Sequence, residues 1–178
     1  VLIGLIGRRR SGKDTFAQYF IETLGYRRKA LADIPKAQTS RKYGLPANML
    51  WWEDNKDKPY YGDQTRTYRE LLIEYANGKR ALDPDVWVKT LLAEIEPLLA
   101  RGESVIVTDV RFPNEAELLH AAGAVLFKIE RPQIPIFCDL ADSGVDEIDG
   151  ALISRTFVNN AGVNDLWRDA RDVADTLG

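Results

Sequence analysis

The residues GRRRSGKDT at positions 7–15 combine two glycines, a lysine and four further charged side chains within nine places. The spacing of Gly7, Gly12 and Lys13 is that of a loop whose backbone N–H groups curl around an anion. The lysine of such a loop reaches the β- and γ-phosphates of a nucleoside triphosphate. Ser11 belongs to the same turn. Asp14 stands where a hydroxyl residue normally ligates Mg²⁺, and Thr15 follows it. A carboxylate binds Mg²⁺ at least as well but repels bare phosphate, so nucleotide binding is expected to depend steeply on Mg²⁺. Arg8, Arg9 and Arg10 fill the variable positions, whose side chains are expected to point away from the cradled phosphates. Either at least one of them meets a second anionic substrate, or all are solvated.

A second constellation lies in VIVTDVRFPNEAE (105–117). Asp109 ends an apolar run, and Arg111 follows two residues on. An aspartate at a strand end can hold Mg²⁺ through water or take a proton from an attacking oxygen. An arginine beside it can grip a phosphate with two parallel hydrogen bonds. The alternative is an ion pair that caps the strand.

Both constellations need elements to hold them. VLIGLI (1–6) and SVIVTD (104–109) are continuous apolar runs of the kind that parallel sheets bury on both faces. Residues 13–24 carry Phe16, Ala17, Phe20 and Leu24 at helical spacing until Gly25. YRRKALAD (26–33) is a weaker strand candidate, and 34–66 reads as irregular, polar and aromatic. A helix is expected from Thr67 to Gly78. Another is expected after Asp83 as N-cap, with Pro84 at its first position. A short helix over 114–123, strands over 124–130 and 155–160, and a last helix carrying Leu166, Trp167, Ala170, Val173, Ala174 and Leu177 complete the chain. Strands alternating with helices mean an α/β fold, a parallel sheet with helices on both faces.

Composition narrows the classes. The chain has 178 residues, a net charge of −3 and 45% hydrophobic residues, which suits one globular domain and argues against a broad nucleic-acid-binding face. No apolar run is long enough to cross a membrane, and VLIGLI lacks the basic flank of a signal peptide. A lone cysteine, Cys138, fits a reducing cytoplasm. His120 and Cys138 read as structural.

GRRRSGKDT, LADIPK (31–36), TYRELL (67–72), DPDVWV (83–88), DVRFPNEAE (109–117) and FVNNAGVNDL (157–166) occur in that order. Together they resemble the phage-type deoxynucleoside monophosphate kinases of the P-loop kinase superfamily. The resemblance implies a three-layer P-loop kinase fold with a five-stranded parallel sheet in the order 2-3-1-4-5. It implies a single domain with a monophosphate-binding insertion around 34–80 and a lid-like segment around 131–154. The cofactors implied are ATP and Mg²⁺, and the acceptor is a deoxynucleoside 5′-monophosphate.

Carried over by residue, Gly7 to Thr15 would hold ATP, with Lys13 catalytic and Asp14, Thr15 and Asp109 serving the metal. Asn160 and Gly162 fall beside the adenine. Asp33, Lys36, Arg69, Trp87 and Arg111 fall on the acceptor side. Lid arginines are missing from 132–154, which is instead acidic (Asp139, Asp142, Asp146, Glu147, Asp149), so Arg131 and Arg155 at its margins are the cations left for transfer. Trp51, Trp52, Tyr60 and Tyr61 form either a small satellite core, a substrate wall or a dimer surface. Two other activities share these features: a kinase of a hydroxyl on a modified base in DNA, and a nucleotide-binding regulator that transfers nothing.

Overall fold

Every residue of β1 (Leu2–Ile6) is buried, and the apolar run that marks it in the sequence lies at the centre of a sheet. The computed structural model describes residues 1–134 and 140–177. The chain divides into two compact units, Val1–Ala30 with Leu91–Gly178, and Leu31–Thr90.

In the first unit, β1 leads through the glycine-rich loop into α1 (Lys13–Leu24) and then β2 (Arg27–Lys29). The end of α6 (Val86–Ala100) returns to β5 (Val105–Val110), α7 (Pro113–Ala121), β6 (Val125–Glu130), the short α8 (Leu140–Gly144), β7 (Ile153–Val158) and α9 (Val163–Leu177). The sheet order is β2-β5-β1-β6-β7, and every pairing in it is parallel. Counted within the sheet alone this reads 2-3-1-4-5. The detail that differs from expectation is a separate two-stranded hairpin, β3 (Pro59–Tyr60) and β4 (Asp63–Thr67), between its second and third strands in the chain.

One helix-covered side of the sheet is an aromatic core. Phe16 lies 5.1 Å from Phe157 and 5.7 Å from Phe20, ring centre to ring centre, with Ile3, Leu5, Ile129 and Leu166 packed in the same cluster. Fully burying each such side chain is worth roughly 1.5–3 kcal/mol. The cluster therefore fixes where α1 begins, and with it the loop that opens α1.

The second unit corrects the expectation of an irregular 34–66. It holds α2 (Asp33–Tyr43), α3 (Asn48–Trp51), α4 (Glu53–Lys56), the hairpin, α5 (Tyr68–Leu82) and the start of α6. In α2 only Ile34, Pro35 and Thr39 are buried, so the polar segment shows no helical apolar stripe to read. The helix that begins at Thr67 does so through a capping box. Glu70 N donates to Thr67 Oγ1 at 3.2 Å, and Thr67 N donates to the Glu70 carboxylate at 2.7 Å. It runs through Gly78 to Leu82 instead of stopping there. A glycine inside a helix costs only about 1 kcal/mol, which the packing of the unit covers. Asp83 is not an N-cap. Its carboxylate accepts from Asp85 N at 3.0 Å in a turn, and α6 starts at Val86. Likewise β2 keeps only three residues of the expected 26–33, and the last strand lies two residues earlier than 155–160.

Tyr68, Leu50 and Leu45 are buried in a satellite core of the second unit, with Tyr43, Met49, Tyr60 and Leu72 against them. Trp52 is 65% exposed and stays outside it. Among the described residues no helix is long and apolar enough to cross a membrane.

Candidate active site

The loop GRRRSGKD leaves β1 at its carboxyl end, beside the carboxyl ends of β5 and β6, where open parallel sheets bind ligands. Gly12 caps α1 at φ 107, a left-handed conformation open to glycine and strained for other residues. A side chain there would also collide: a Cβ on Gly12 would lie 2.6 Å from Asn159 Nδ2 and 2.9 Å from Leu166 Cδ1. The bare backbone lets Asn159 Nδ2 donate to the Ser11 carbonyl at 2.9 Å. The segment after β7 is thereby tied to the loop.

Lys13 opens α1 and is 6% exposed. Its Nζ donates to the Arg8 carbonyl at 2.6 Å, so the loop is curled around its own lysine. Burial, and after it the Arg111 charge, lower the pKa of this amine from 10.5 to about 8, against the opposing effect of Asp14, Asp109 and Asp142. Two carboxylates expected to serve the metal, Asp14 and Asp109, thus act electrostatically on the expected catalytic lysine. Asp14 is exposed, Thr15 and Asp109 half-buried.

The three arginines of the loop separate. Arg8 forms an ion pair with Asp146, and the Arg9 backbone N–H donates to Asp142 Oδ1 at 3.0 Å. Arg10 has φ 63, and among the described residues it alone reaches positive φ without being glycine. A cleft of about 270 Å³ is lined by Arg10, Lys13, Asp14 and Thr15 from the loop side and by Arg131, Asn159, Gly162 and Val163 from the other. Gly7, Arg8 and Ser11 line a second hollow of about 200 Å³ with Arg131 and Asp146. Arg131 therefore faces the loop. Arg155 instead lays its guanidinium over the Phe157 ring, 4.6 Å from its centre.

Arg111 is positioned by α7. Glu115, buried in the first turn of that helix, accepts from Arg111 N at 3.0 Å and Phe112 N at 3.2 Å. The Arg111 guanidinium pairs with Asp142 at 3.3 Å, so its ion-pair partner is a residue of α8. Asp142 is fully buried. Gly144 makes that approach possible, because a Cβ there would lie 2.8 Å from the Arg111 carbonyl.

Asn159 and Asp142 are the loop partners that sequence reasoning did not single out. Asn160, expected beside the base, is exposed, as is Gly162, whose φ of 118 turns the chain into α9. Cys138 and Asp139 lie outside the described residues.

The expected acceptor residues belong to the second unit. Asp33 and Lys36 pair at 3.1 Å on α2, and Lys36 also lies 5.7 Å from the centre of the Trp51 ring. Arg69 is held by two carboxylates, Asp57 (2.6 Å) and Glu53 (2.8 Å). These bonds push its pKa above the ordinary arginine value, with Asp57 the larger cause, and with Lys56 they draw Glu53 down to about 2 against its desolvation. Trp87 is 1% exposed and packs near Tyr75, ring centres 6.4 Å apart, so it is a core residue and offers no face for a base to stack on.

No family model matches the chain. It is 31% identical over 146 residues to a protein of Acanthamoeba polyphaga mimivirus named "Putative deoxynucleotide monophosphate kinase", covering 75% of this chain and 76% of that one. It is 29% identical over 133 residues to "Uncharacterized protein ORF77" of Ictalurid herpesvirus 1 (strain Auburn), of whose length the match spans 51% and of this chain 74%. Dephospho-CoA kinase from Campylobacter jejuni superposes with a TM-score of 0.57 at 13% identity, over 99% of this chain and 97% of its own. Shikimate kinase from Acinetobacter baumannii, in complex with shikimate, gives 0.50 at 12%, over 99% and 92%. These two establish the fold. The chain belongs to the P-loop kinase superfamily and, within it, to the family of the mimivirus protein.

Proposed function

We propose that the protein transfers the γ-phosphoryl group of Mg-ATP to a deoxynucleoside 5′-monophosphate, releasing ADP and the diphosphate. The observation that carries the reading is the buried Lys13 ammonium at the mouth of the loop, with Asp14, Asp109 and Arg111 all within electrostatic reach of it. That set serves two polyanions better than one. The relative at 31% identity bears the name of such a kinase, which supports the choice of acceptor.

Catalysis here is positioning and charge neutralisation, because a phosphate oxygen is already a competent nucleophile. In this reading the loop amides and Lys13 hold the donor phosphates, and Lys13 leaves the Arg8 carbonyl to do so. Arg111 holds the acceptor phosphate. Arg10 and Arg131, on opposite sides of the cleft, neutralise charge on the group in flight. Asp14, Thr15 and Asp109 are hard oxygen donors that suit Mg²⁺, which is bound through few protein groups and the substrate's own phosphates. Held by these residues, Mg²⁺ would supply positive charge against that of the donor phosphates. Asp33 and Lys36 belong to the acceptor side in the same reading, as does Arg69 once released from Asp57 and Glu53. Such a kinase would work in the cytoplasm, where its nucleotides are.

The test is an ADP-release assay with Mg-ATP against each deoxynucleoside and ribonucleoside monophosphate in turn. Turnover with one or a few deoxynucleotides is expected. ATP binding without turnover of any monophosphate would sink the proposal and favour an acceptor in DNA or a regulatory role.

A further inference from the structure

Asp142 is the most enclosed charge near the loop. Its carboxylate accepts from the loop at Arg9 N, at 3.0 Å, and faces the Arg111 guanidinium at 3.3 Å. It also acts on Lys13, where it opposes the effect of Arg111. Lys13 and Arg111 are like charges held close in a partly desolvated place, and an anion beside them relieves their repulsion.

A buried carboxylate beside a loop N–H and a guanidinium is placed as an anion ligand is. Its contact with Arg111 is longer than the 2.7–2.9 Å of a strong charge-assisted bond. Buried ion pairs of imperfect geometry contribute little net stability against their desolvation cost. A loop N–H and a guanidinium in contact, with the Lys13 ammonium within electrostatic reach, resemble the surroundings of a phosphoryl group. A neighbouring contact is of the same kind: Asp146 pairs with Arg8. Gly144 lets the stretch lie against the Arg111 carbonyl.

We propose that Arg9 N–H, Arg111 and Lys13 form a phosphate subsite, and that Asp142 occupies it as a built-in carboxylate surrogate which an incoming phosphate must displace. The inference rests on the proposed phosphoryl transfer only for the identity of the natural ligand, a phosphate group of the donor or the acceptor nucleotide. Displacement moves residues 140–147 off the loop and frees Arg8 from Asp146. The acidic stretch thereby sets the threshold concentration for occupancy, and it keeps Lys13 and Arg111 compensated while the subsite waits.

The test uses inorganic phosphate and needs no turnover, so it stands whether or not any monophosphate proves to be a substrate. Calorimetric titration of Asp142→Asn is expected to show phosphate binding tightened roughly tenfold over wild type, since the competing charge is gone. In Asp142→Asn combined with Arg111→Met that gain should vanish. Phosphate affinity unchanged or weakened in a folded Asp142→Asn protein would make Asp142 a brace and overturn the proposal. Should that variant not fold, wild-type hydrogen exchange decides. Added phosphate is expected to reduce protection of amides in 140–147 relative to chloride at equal ionic strength, and unchanged or greater protection overturns it.

Discussion

Asn159 Nδ2 donates to the carbonyl oxygen of Ser11 at 2.9 Å, so a residue 148 positions away in the chain fixes the turn of the glycine loop. Its own backbone N–H is bonded to the Glu130 carbonyl at 2.7 Å, which locks the side chain to the sheet end. Both partners are buried. Replacing it by alanine leaves a buried carbonyl without its donor, a loss of about 1–3 kcal/mol. Asn159→Ala is expected to lower the melting temperature and weaken Mg-ATP binding together. Melting curves with and without nucleotide check this, and a variant that loses neither would show the bond to be incidental.

Lys13 is the residue on which transfer should depend most. Lys13→Met keeps the volume and removes the charge, and the rate is expected to fall by several powers of ten, on the order of 3–5 kcal/mol in the barrier. Single-turnover measurement under saturating Mg-ATP separates that loss from weaker binding. A decrease of less than tenfold would remove Lys13 from the chemistry.

The depressed pKa of Lys13 also makes a statement about pH. Below about 8 the folded protein holds a charged amine in a buried place, and the cost is fully present. Between about 8 and 10.5 the unfolded chain keeps a proton that the folded chain has lost, so stability rises with pH across that window. Nucleotide affinity should move the other way, because the phosphates need the ammonium. Titrating unfolding free energy and Mg-ATP affinity against pH should therefore give opposite slopes above pH 8, both absent in Lys13→Met.

Arg10 holds a backbone conformation that favours glycine, at φ 63. An L side chain there costs roughly 1 kcal/mol. Arg10→Gly is expected to leave stability unchanged or raise it while slowing transfer, whereas Arg10→Lys keeps the strain and much of the rate. If the glycine variant matches wild type in turnover, the charge at position 10 has no part in the reaction.

Asp14 ties nucleotide affinity to the metal. With Asp14→Ser, ATP binding in the absence of magnesium should improve and the gain on adding magnesium should shrink, because the carboxylate no longer repels the phosphates. Calorimetry with ATP alone and with Mg-ATP reads both. Equal metal dependence in the two proteins would contradict the assignment.

The sheet and the glycine loop were legible because their signals are local. A continuous apolar run before GRRRSGKDT reads as a buried strand, and Phe16 and Phe20 recur at helical spacing after it. Segment 34–66 was not legible, because α2 buries a proline and a threonine beside a single isoleucine and so carries no stripe. At the end of β7 the resemblance pointed to Asn160, whereas alternation along the strand puts Phe157 and Asn159 inward and Val158 and Asn160 outward. Counting from Phe157 by twos would have found Asn159. Asp142 had no local signal, lying 31 residues from Arg111 and 133 from Arg9. The one hint was complementary: a run of acids with no cations, in a chain whose loop has three arginines in a row.

The central place of β1 in the sheet bears on how the molecule assembles. Leu2 sits opposite Val105, and Ile3 opposite both Ile106 and Val125, so the strand that carries the loop finds its neighbours about a hundred residues further along the chain. Closing loops of that length comes late and makes folding slow. Until β6 docks, Asn159 has no sheet end to hang from, and the glycine loop has no fixed shape. Nucleotide can thus reward only the finished sheet, and added Mg-ATP should slow unfolding while leaving the rate of refolding almost untouched.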